Sequence, residues 1–260
     1  MKPLLPYYGG KAKLVNTLLP LIPKHVTYAE PFSGGAALFW AKDPSTIEIL
    51  NDTNKELVNF YRVVQQEFVS IEKMVRITLH SRMAHRDASV VYNNPHLFDE
   101  VKRAWAVWVL AVQSFSSMLD GTWGYDKTKK AISTTKISNK RAAFTEEYAI
   151  RLQNVQIECA NALYIINSRD NADAFFYCDP PYFNSDCAHY AGYTKADFEA
   201  LLTMLSGIKG KFLLSSYPSD ILKEFTKRHG WYQMEIEQRV SVNKGYGKKK
   251  IEVVTANYKI

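Results

Sequence analysis

Residues Ala174–Cys178 read Ala-Phe-Phe-Tyr-Cys and run straight into Asp179-Pro180-Pro181-Tyr182. The apolar residues are continuous rather than alternating, as in a strand whose sheet is covered on both faces. Lys211–Ser216 (Lys-Phe-Leu-Leu-Ser-Ser) reads the same way. His25–Glu30, Thr46–Leu50 and Val155–Cys159 are further short β-rich segments. Trp231–Gln238 and Lys250–Asn257 alternate more and predict strands toward an antiparallel edge. Helical patterns lie between them. Ala36–Ala41 follows a Gly pair, and both Thr53 with Glu56 and Thr194 with Asp197 have capping-box spacing ahead of apolar runs. Strands alternating with helices predict an α/β fold on a mixed, mainly parallel sheet.

The alternation lapses over residues 65–144. Phe68–Met83 and Asp99–Met118 look helical, and the chain then turns polar, basic and Thr/Ser-rich through Ile137. The stretch is rich in neither Gly nor Pro, so it predicts a structured insert rather than a linker. The expected organisation is one domain from residues 1–64 and 145–260, with an insert over 65–144.

The chain has 260 residues, 47% hydrophobic and 23% charged, which excludes disordered and collagenous classes. Its longest apolar run, Ala104–Val112, is far short of the ~20 residues of a membrane span. Pro3, Pro6, Gly9 and Gly10 interrupt the N-terminus before a signal-peptide core could form. Cysteines at 159, 178 and 187 are odd in number and make no CxxC, so neither disulfides nor a zinc site are expected. These features predict a soluble, cytoplasmic protein without metal or membrane partner, as a monomer or weak dimer. The net charge of +7 is localised: residues 126–141 and 239–250 each carry +5, so the rest of the chain sums to −3. Two basic patches on an otherwise acidic chain are the footprint of a polyanion binder, although solvated loops would read alike.

Asp179-Pro180-Pro181-Tyr182 carries the most specific chemistry. Two prolines fix φ and hold Asp179 and Pro180 extended, so the turn presents a carboxylate, carbonyls and an aromatic face as one rigid set. Ligands of open α/β sheets bind beyond the carboxyl ends of strands. An exocyclic amine on an aromatic base is a poor nucleophile, because its lone pair is delocalised into the ring. A carboxylate and a carbonyl accepting its two N–H groups would localise that lone pair and stabilise the positive charge of attack. A Tyr ring would stack on a base flipped from its duplex. Upstream, Glu30-Pro31-Phe32-Ser33-Gly34-Gly35 follows the first strand, and Asp52 stands 18 residues beyond Gly34, where a carboxylate holds ribose hydroxyls or caps a helix. The dinucleotide fingerprint is missing. Tyr7-Tyr8-Gly9-Gly10-Lys11 adds an aromatic pair and a cation, but lacks the upstream Gly and following Ser/Thr of a phosphate loop.

Taken in order, Tyr7–Lys11, Pro31–Gly35, Asp52, the irregular stretch 65–144 and Asp179–Tyr182 resemble the α-group DNA N6-adenine methyltransferases, the Dam-type or D12 class. The resemblance spans almost the whole chain. It implies a Rossmann-like S-adenosylmethionine-dependent fold whose insert recognises double-stranded DNA. It implies that Tyr7, Lys11, Asp52 and Asp179 contact S-adenosylmethionine, that Phe32, Ser33 and Gly34 line its pocket, and that Asp179, Pro180, Pro181 and Tyr182 hold the target adenine. Where that family usually has Gly-Asp, this chain has Ala160-Asn161, so Asn161 would meet the donor with altered affinity. Within the insert, Phe115–Tyr125 resembles the stretch before the family's DNA-contacting hairpin, which assigns Trp123 and Tyr125 to DNA. Lys127, Lys129, Lys130, Lys136, Lys140 and Arg141 would contact phosphates or bases, and Asn139 and Thr134 would be candidate base readers. Lys244, Tyr246 and Lys248 would form a second phosphate clamp. Phe183–Tyr193 would close over the flipped base, with Cys187 and His189 as bystanders. The insert lacks the basic and aromatic pattern of GATC-specific members. The rival readings are methylation of RNA adenine or a protein glutamine, and a nucleic-acid-binding protein with weakened catalysis.

Overall fold

Ala174–Cys178 forms the strand its apolar run predicts, β4, and all five residues are buried. The computed structural model describes residues 1–127, 132–184, 192–239 and 249–260. The other strands are β1 (Thr27–Glu30), β2 (Ile47–Asn51), β3 (Gln156–Glu158), β5 (Lys211–Ser216), β6 (Tyr232–Arg239) and β7 (Lys249–Ala256). They make one seven-stranded sheet in the order β3-β2-β1-β4-β5-β7-β6. β1, β4 and β5 are parallel neighbours, with Tyr28 opposite Phe175 and Tyr177 opposite Leu213. β7 runs antiparallel to both β5 and β6, which is the edge predicted from the alternating segments. The strand order reverses at the β1–β4 pair, the place where open α/β sheets bind ligands beyond their strand ends.

The helices are α1 (Val15–Leu18), α2 (Ala37–Ala41), α3 (Lys55–Gln66), α4 (Phe68–Ile77), α5 (Arg82–Asn93) and α6 (Glu100–Gln113), then α7 (Ile132–Ala142), α8 (Glu147–Leu152), α9 (Ala162–Arg169), α10 (Lys195–Gly207) and α11 (Asp220–His229). Contacts divide the chain into two units, the first of residues 1–19, 33–44 and 50–159, the second of residues 20–32, 45–49 and 160–260. In the second, Phe176, Phe212 and Leu214 of the sheet bury against Ile165 and Ile166 of α9, Phe198 and Leu202 of α10, and Phe225 of α11. In the first, α6 is buried along Ala104–Gln113, as a helix apolar on all sides must be. The insert predicted over 65–144 falls wholly within this first unit.

Three local details differ from the sequence reading. Thr53 does not cap α3. Asn54 does, its side-chain oxygen accepting from the N–H groups of both Glu56 and Leu57. The helix predicted over Phe68–Met83 is two. The chain turns extended at Thr78, whose hydroxyl donates back to the Met74 carbonyl, and Ser81 caps α5 by accepting from Ala84 N–H. The basic Thr/Ser-rich stretch contains α7, anchored by Asp126, whose carboxylate accepts from the N–H groups of Ser133 and Thr134 and is held below the usual range by them. A cap from so far upstream leaves no local pattern. The Thr194–Asp197 capping box forms as predicted.

Arg103 of α6 makes a two-pronged ion pair with Glu56 of α3, donating from Nε at 2.9 Å and Nη2 at 2.7 Å. Removing one partner of a largely buried pair strands the other charge. Glu56→Ala is therefore expected to cost about 2–3 kcal/mol in urea unfolding, toward the low side of the buried range because the guanidinium is partly wet. Glu56→Met combined with Arg103→Met should recover most of that loss.

Candidate active site

The loop after β1 leaves the sheet through Pro31 and Phe32 and turns at Ser33–Ala36. Ser33 N–H donates to the Asn51 carbonyl at 2.8 Å and Ala36 N–H to the Ser33 carbonyl. Gly34 sits at φ +45°, a conformation side chains resist, and a Cβ there would come within 3.1 Å of the Tyr7 ring. At Gly35 a Cβ would meet Tyr7 Cβ at 2.9 Å. The glycine pair thus exists so that Tyr7 can lie flat on the loop, which ties the N-terminal motif to the second motif. Tyr61 of α3 donates its hydroxyl to the Gly34 carbonyl at 2.7 Å.

Asp52 completes this cluster in the first unit. One carboxylate oxygen accepts from Gly34 N–H at 3.0 Å and the other from Asn54 N–H at 2.9 Å. A carboxylate has about four acceptor sites, so it can take a further donor such as a ribose hydroxyl beside these N–H groups. Burial raises its pKa above the usual carboxylate value, and the N–H groups of Asn54, Gly34 and Thr53 oppose that rise only in part. Asn54 also donates from Nδ2 to the Tyr92 hydroxyl at 2.9 Å, so the loop carrying Asp52 is braced by α5. Lys11 is buried with Nζ 3.1 Å from the Gly9 carbonyl.

In the second unit, Asp179-Pro180-Pro181-Tyr182 leaves the end of β4. Tyr182 folds back so that its hydroxyl lies 3.2 Å from Asp179 Oδ1 and 3.1 Å from Glu252 Oε1, on β7. The Tyr182 ring packs on Tyr217 with centroids 4.4 Å apart. Tyr177 points back into the sheet and shares a 3.1 Å hydrogen bond with the Ser215 hydroxyl. Its phenol is pushed well up by burial first and then by Asp179, Glu252 and Glu30, so three carboxylates act on one patch. Tyr182 is pushed up likewise, by burial and then by Asp179 and Glu252. Phe32 packs on the core of this unit and meets the Tyr193 ring edge-on. Asn161 caps α9 through Leu163 N–H at 2.8 Å, a task Asp would perform equally, so the departure at this position leaves the helix start intact.

The insert builds an aromatic and cationic ladder. His80, Trp123 and Tyr125 stack in sequence at 4.9 and 5.5 Å, and Arg82 lies over both Trp123 and Tyr125. Gln113 anchors the ladder from below, its Oε1 accepting from Trp123 Nε1 and Ser81 N–H. Tyr125 and Lys127 are exposed. Ser116 and Ser117 both have positive φ, and Lys136 donates to the Ser117 hydroxyl at 2.9 Å. Lys140 donates to the carbonyls of Pro3 and Leu4, and Arg141 donates to that of Thr78. Burial and the nearby Lys136 and Lys2 bring the Lys140 amine down to about 8. Three of the predicted DNA contacts thus also serve the protein's own chain, while Asn139 is exposed. Thr134 is engaged by Asp126. Lys129, Lys130, Lys244, Tyr246 and Lys248 lie outside the described residues, as do Cys187, His189 and most of the predicted Phe183–Tyr193 closure.

Sequence reasoning missed Glu252, Glu30, Arg82 and His80. Glu252 sits in an alternating strand 70 residues beyond Tyr182, where a lone Glu signals only a wet face. Among the described residues no cluster of His, Cys, Asp and Glu has metal-binding geometry, and no helix is long and apolar enough to cross a membrane.

The chain matches the family described as D12 class N6 adenine-specific DNA methyltransferase over residues 7–241. It is 23% identical to the type II methyltransferase M1.LlaDCHI of Lactococcus lactis subsp. cremoris, over 99% of this chain and 96% of that one. It is also 23% identical to the DNA adenine methylase of Escherichia coli K12, over 98% and 94% of the two chains. To the type II methyltransferase M.MjaIII of Methanocaldococcus jannaschii it is 26% identical, over 76% and 75%. With an Asp-Pro-Pro-Tyr turn at the end of β4 and a family match running through both units, the chain belongs to the D12 class of N6 adenine-specific DNA methyltransferases.

Proposed function

We propose that this adenine-specific DNA methyltransferase takes its methyl group from S-adenosylmethionine and acts on an adenine flipped out of double-stranded DNA. The donor supplies a methyl group activated by a sulfonium. The residues of the first unit suit such a ligand: Asp52 offers an oriented carboxylate for ribose hydroxyls, Lys11 a cation for a carboxylate, and the Tyr7–Gly34 contact an aromatic wall. Phe32, Ser33 and Asn161 are assigned to the same ligand. Asp179 and the Pro180 carbonyl accept the two N–H groups of N6, localising its lone pair, while Tyr182 stacks on the base. Holding the reactants in line contributes much of the rate. Trp123, Tyr125 and Lys127, together with Arg82, present the DNA-contacting surface of the insert. The reading takes the enzyme as a cytoplasmic monomer or weak dimer.

The observation that carries this reading is the turn itself: a carboxylate at a parallel strand's end, bonded to the hydroxyl of the aromatic three residues on. Asp rather than Asn at position 179, with the basic patches, favours DNA over a protein glutamine or RNA. The test is transfer of radiolabelled methyl from S-adenosylmethionine to unmethylated duplex DNA, followed by nucleoside analysis. Label in N6-methyladenine is the expected result. Salt-dependent DNA binding with no label on DNA would support the weakened-catalysis alternative, and label only on RNA or protein would replace the substrate.

A further inference from the structure

The Tyr182 hydroxyl has one proton and two carboxylate oxygens within reach, Asp179 Oδ1 at 3.2 Å and Glu252 Oε1 at 3.1 Å. Both distances are long for O–H···O contacts, which favour ~2.7–2.8 Å, and nearly equal. That is the geometry of a proton shared between two acceptors. Glu252 is a buried carboxylate, 5% exposed, followed on its strand by buried Val253, Val254 and Thr255. A carboxylate in such a place costs stability unless its interactions recover it. Its position at the far side of the Tyr182 hydroxyl gives it a use.

We infer that Asp179, Tyr182 and Glu252 form a proton relay, with Glu252 the terminal acceptor of the proton that N6 must lose. The inference rests on the reading that the target adenine binds at Asp179. Once methylated, N6 carries one proton and one positive charge more than the neutral product. That proton passes to the Asp179 carboxylate. Asp179 hands it to the Tyr182 oxygen as Tyr182 releases its own proton to Glu252, so the phenol is neutral before and after. Glu252 ends as the neutral acid and returns the proton to solvent before the next turnover. Charge balances: one positive nitrogen and one carboxylate become a neutral amine and a carboxylic acid. A phenol whose ionisation is strongly suppressed suits this concerted exchange, since it never stores the negative charge. While ionised, Glu252 also draws the hydroxyl proton toward itself and away from Asp179 Oδ1. Glu252 is therefore a positioning residue acting through Tyr182.

Glu252→Gln separates this role from mere support, because the amide oxygen still accepts from Tyr182 but takes no proton. With duplex DNA and S-adenosylmethionine, the expected result is a fall in kcat of about 10- to 100-fold, at or below the low end of the ~10²–10⁴-fold usual for a proton-transfer group because Asp179 remains as first acceptor. The KM for either substrate and the DNA Kd should stay within about twofold. The lost kcat should return as pH rises and hydroxide takes the proton, and Glu252→Asp should restore part of it. An unchanged kcat and pH profile in a folded Glu252→Gln protein would overturn the relay. Should that variant unfold, Tyr182→Phe decides: it keeps the ring but breaks the chain, so undiminished kcat would overturn the proposal. If the wild-type enzyme places no label on adenine, the functional reading fails, a result distinct from either.

Discussion

Asp179→Ala is expected to lower methyl transfer to DNA by at least about 10³-fold, while salt-dependent DNA binding stays within about threefold of wild type. The magnitude follows from what the carboxylate does. In the proposed mechanism it accepts an N–H of N6 and faces the positive charge that grows on that nitrogen. Deleting one preorganised group of this kind from a water-poor site costs about 10²–10³ in rate, and losing the first proton acceptor adds to it. Stability should change little, because Asp179 is only half-buried and Pro180 and Pro181 fix the backbone of the turn. Single-turnover transfer measured beside fluorescence anisotropy on the same duplex checks both halves. A variant that binds DNA and still methylates at more than a tenth of the wild-type rate would remove Asp179 from the chemistry.

Asp52→Ala is expected to weaken S-adenosylmethionine binding by about 10- to 100-fold, the loss of one or two hydrogen bonds to a charged acceptor. Saturating donor should recover kcat, which distinguishes it from Asp179→Ala. The pH dependence is a second signature. Burial lifts the Asp52 carboxyl above its ordinary value, so in the free enzyme the proton is bound more tightly folded than unfolded. Stability from this group therefore increases as pH falls through the raised value, and ionisation costs stability above it. Donor binding needs the ionised form and runs the other way. Affinity measured by calorimetry should decline on acidification sooner than an ordinary aspartate would dictate. A donor affinity in Asp52→Ala equal to wild type would reduce Asp52 to a brace for the loop at Gly34 and Asn54.

The legible parts of the fold were those written in local pattern. Continuous apolar runs named β4 and β5 to the residue, because strands covered on both faces bury successive side chains and so read as near-continuous apolar segments. The Thr194–Asp197 box named the start of α10 for a similar reason, since both partners of the cap lie within one turn. The Asp-Pro-Pro-Tyr turn was legible because proline restricts its own backbone and that of the residue before it, whatever surrounds them. Illegible were the features that need a partner from afar. The break at Thr78 depends partly on Trp105, whose indole donates to the Thr78 hydroxyl across 27 residues. The inward anchoring of Lys140 depends on carbonyls at residues 3 and 4, more than 130 positions away.

By itself the sequence determined the strand–helix alternation, the family, the Asp-Pro-Pro-Tyr turn after β4 and the glycine pair after β1, because each rests on steric or periodic rules confined to a few residues. Only the tertiary structure decided that Tyr7 lies on those glycines, that Lys140 and Arg141 of α7 are turned to the protein's own backbone, and that Glu252 stands behind Tyr182. Those are distances between residues remote in sequence. They are set by how the sheet and helices pack, and no local pattern encodes them.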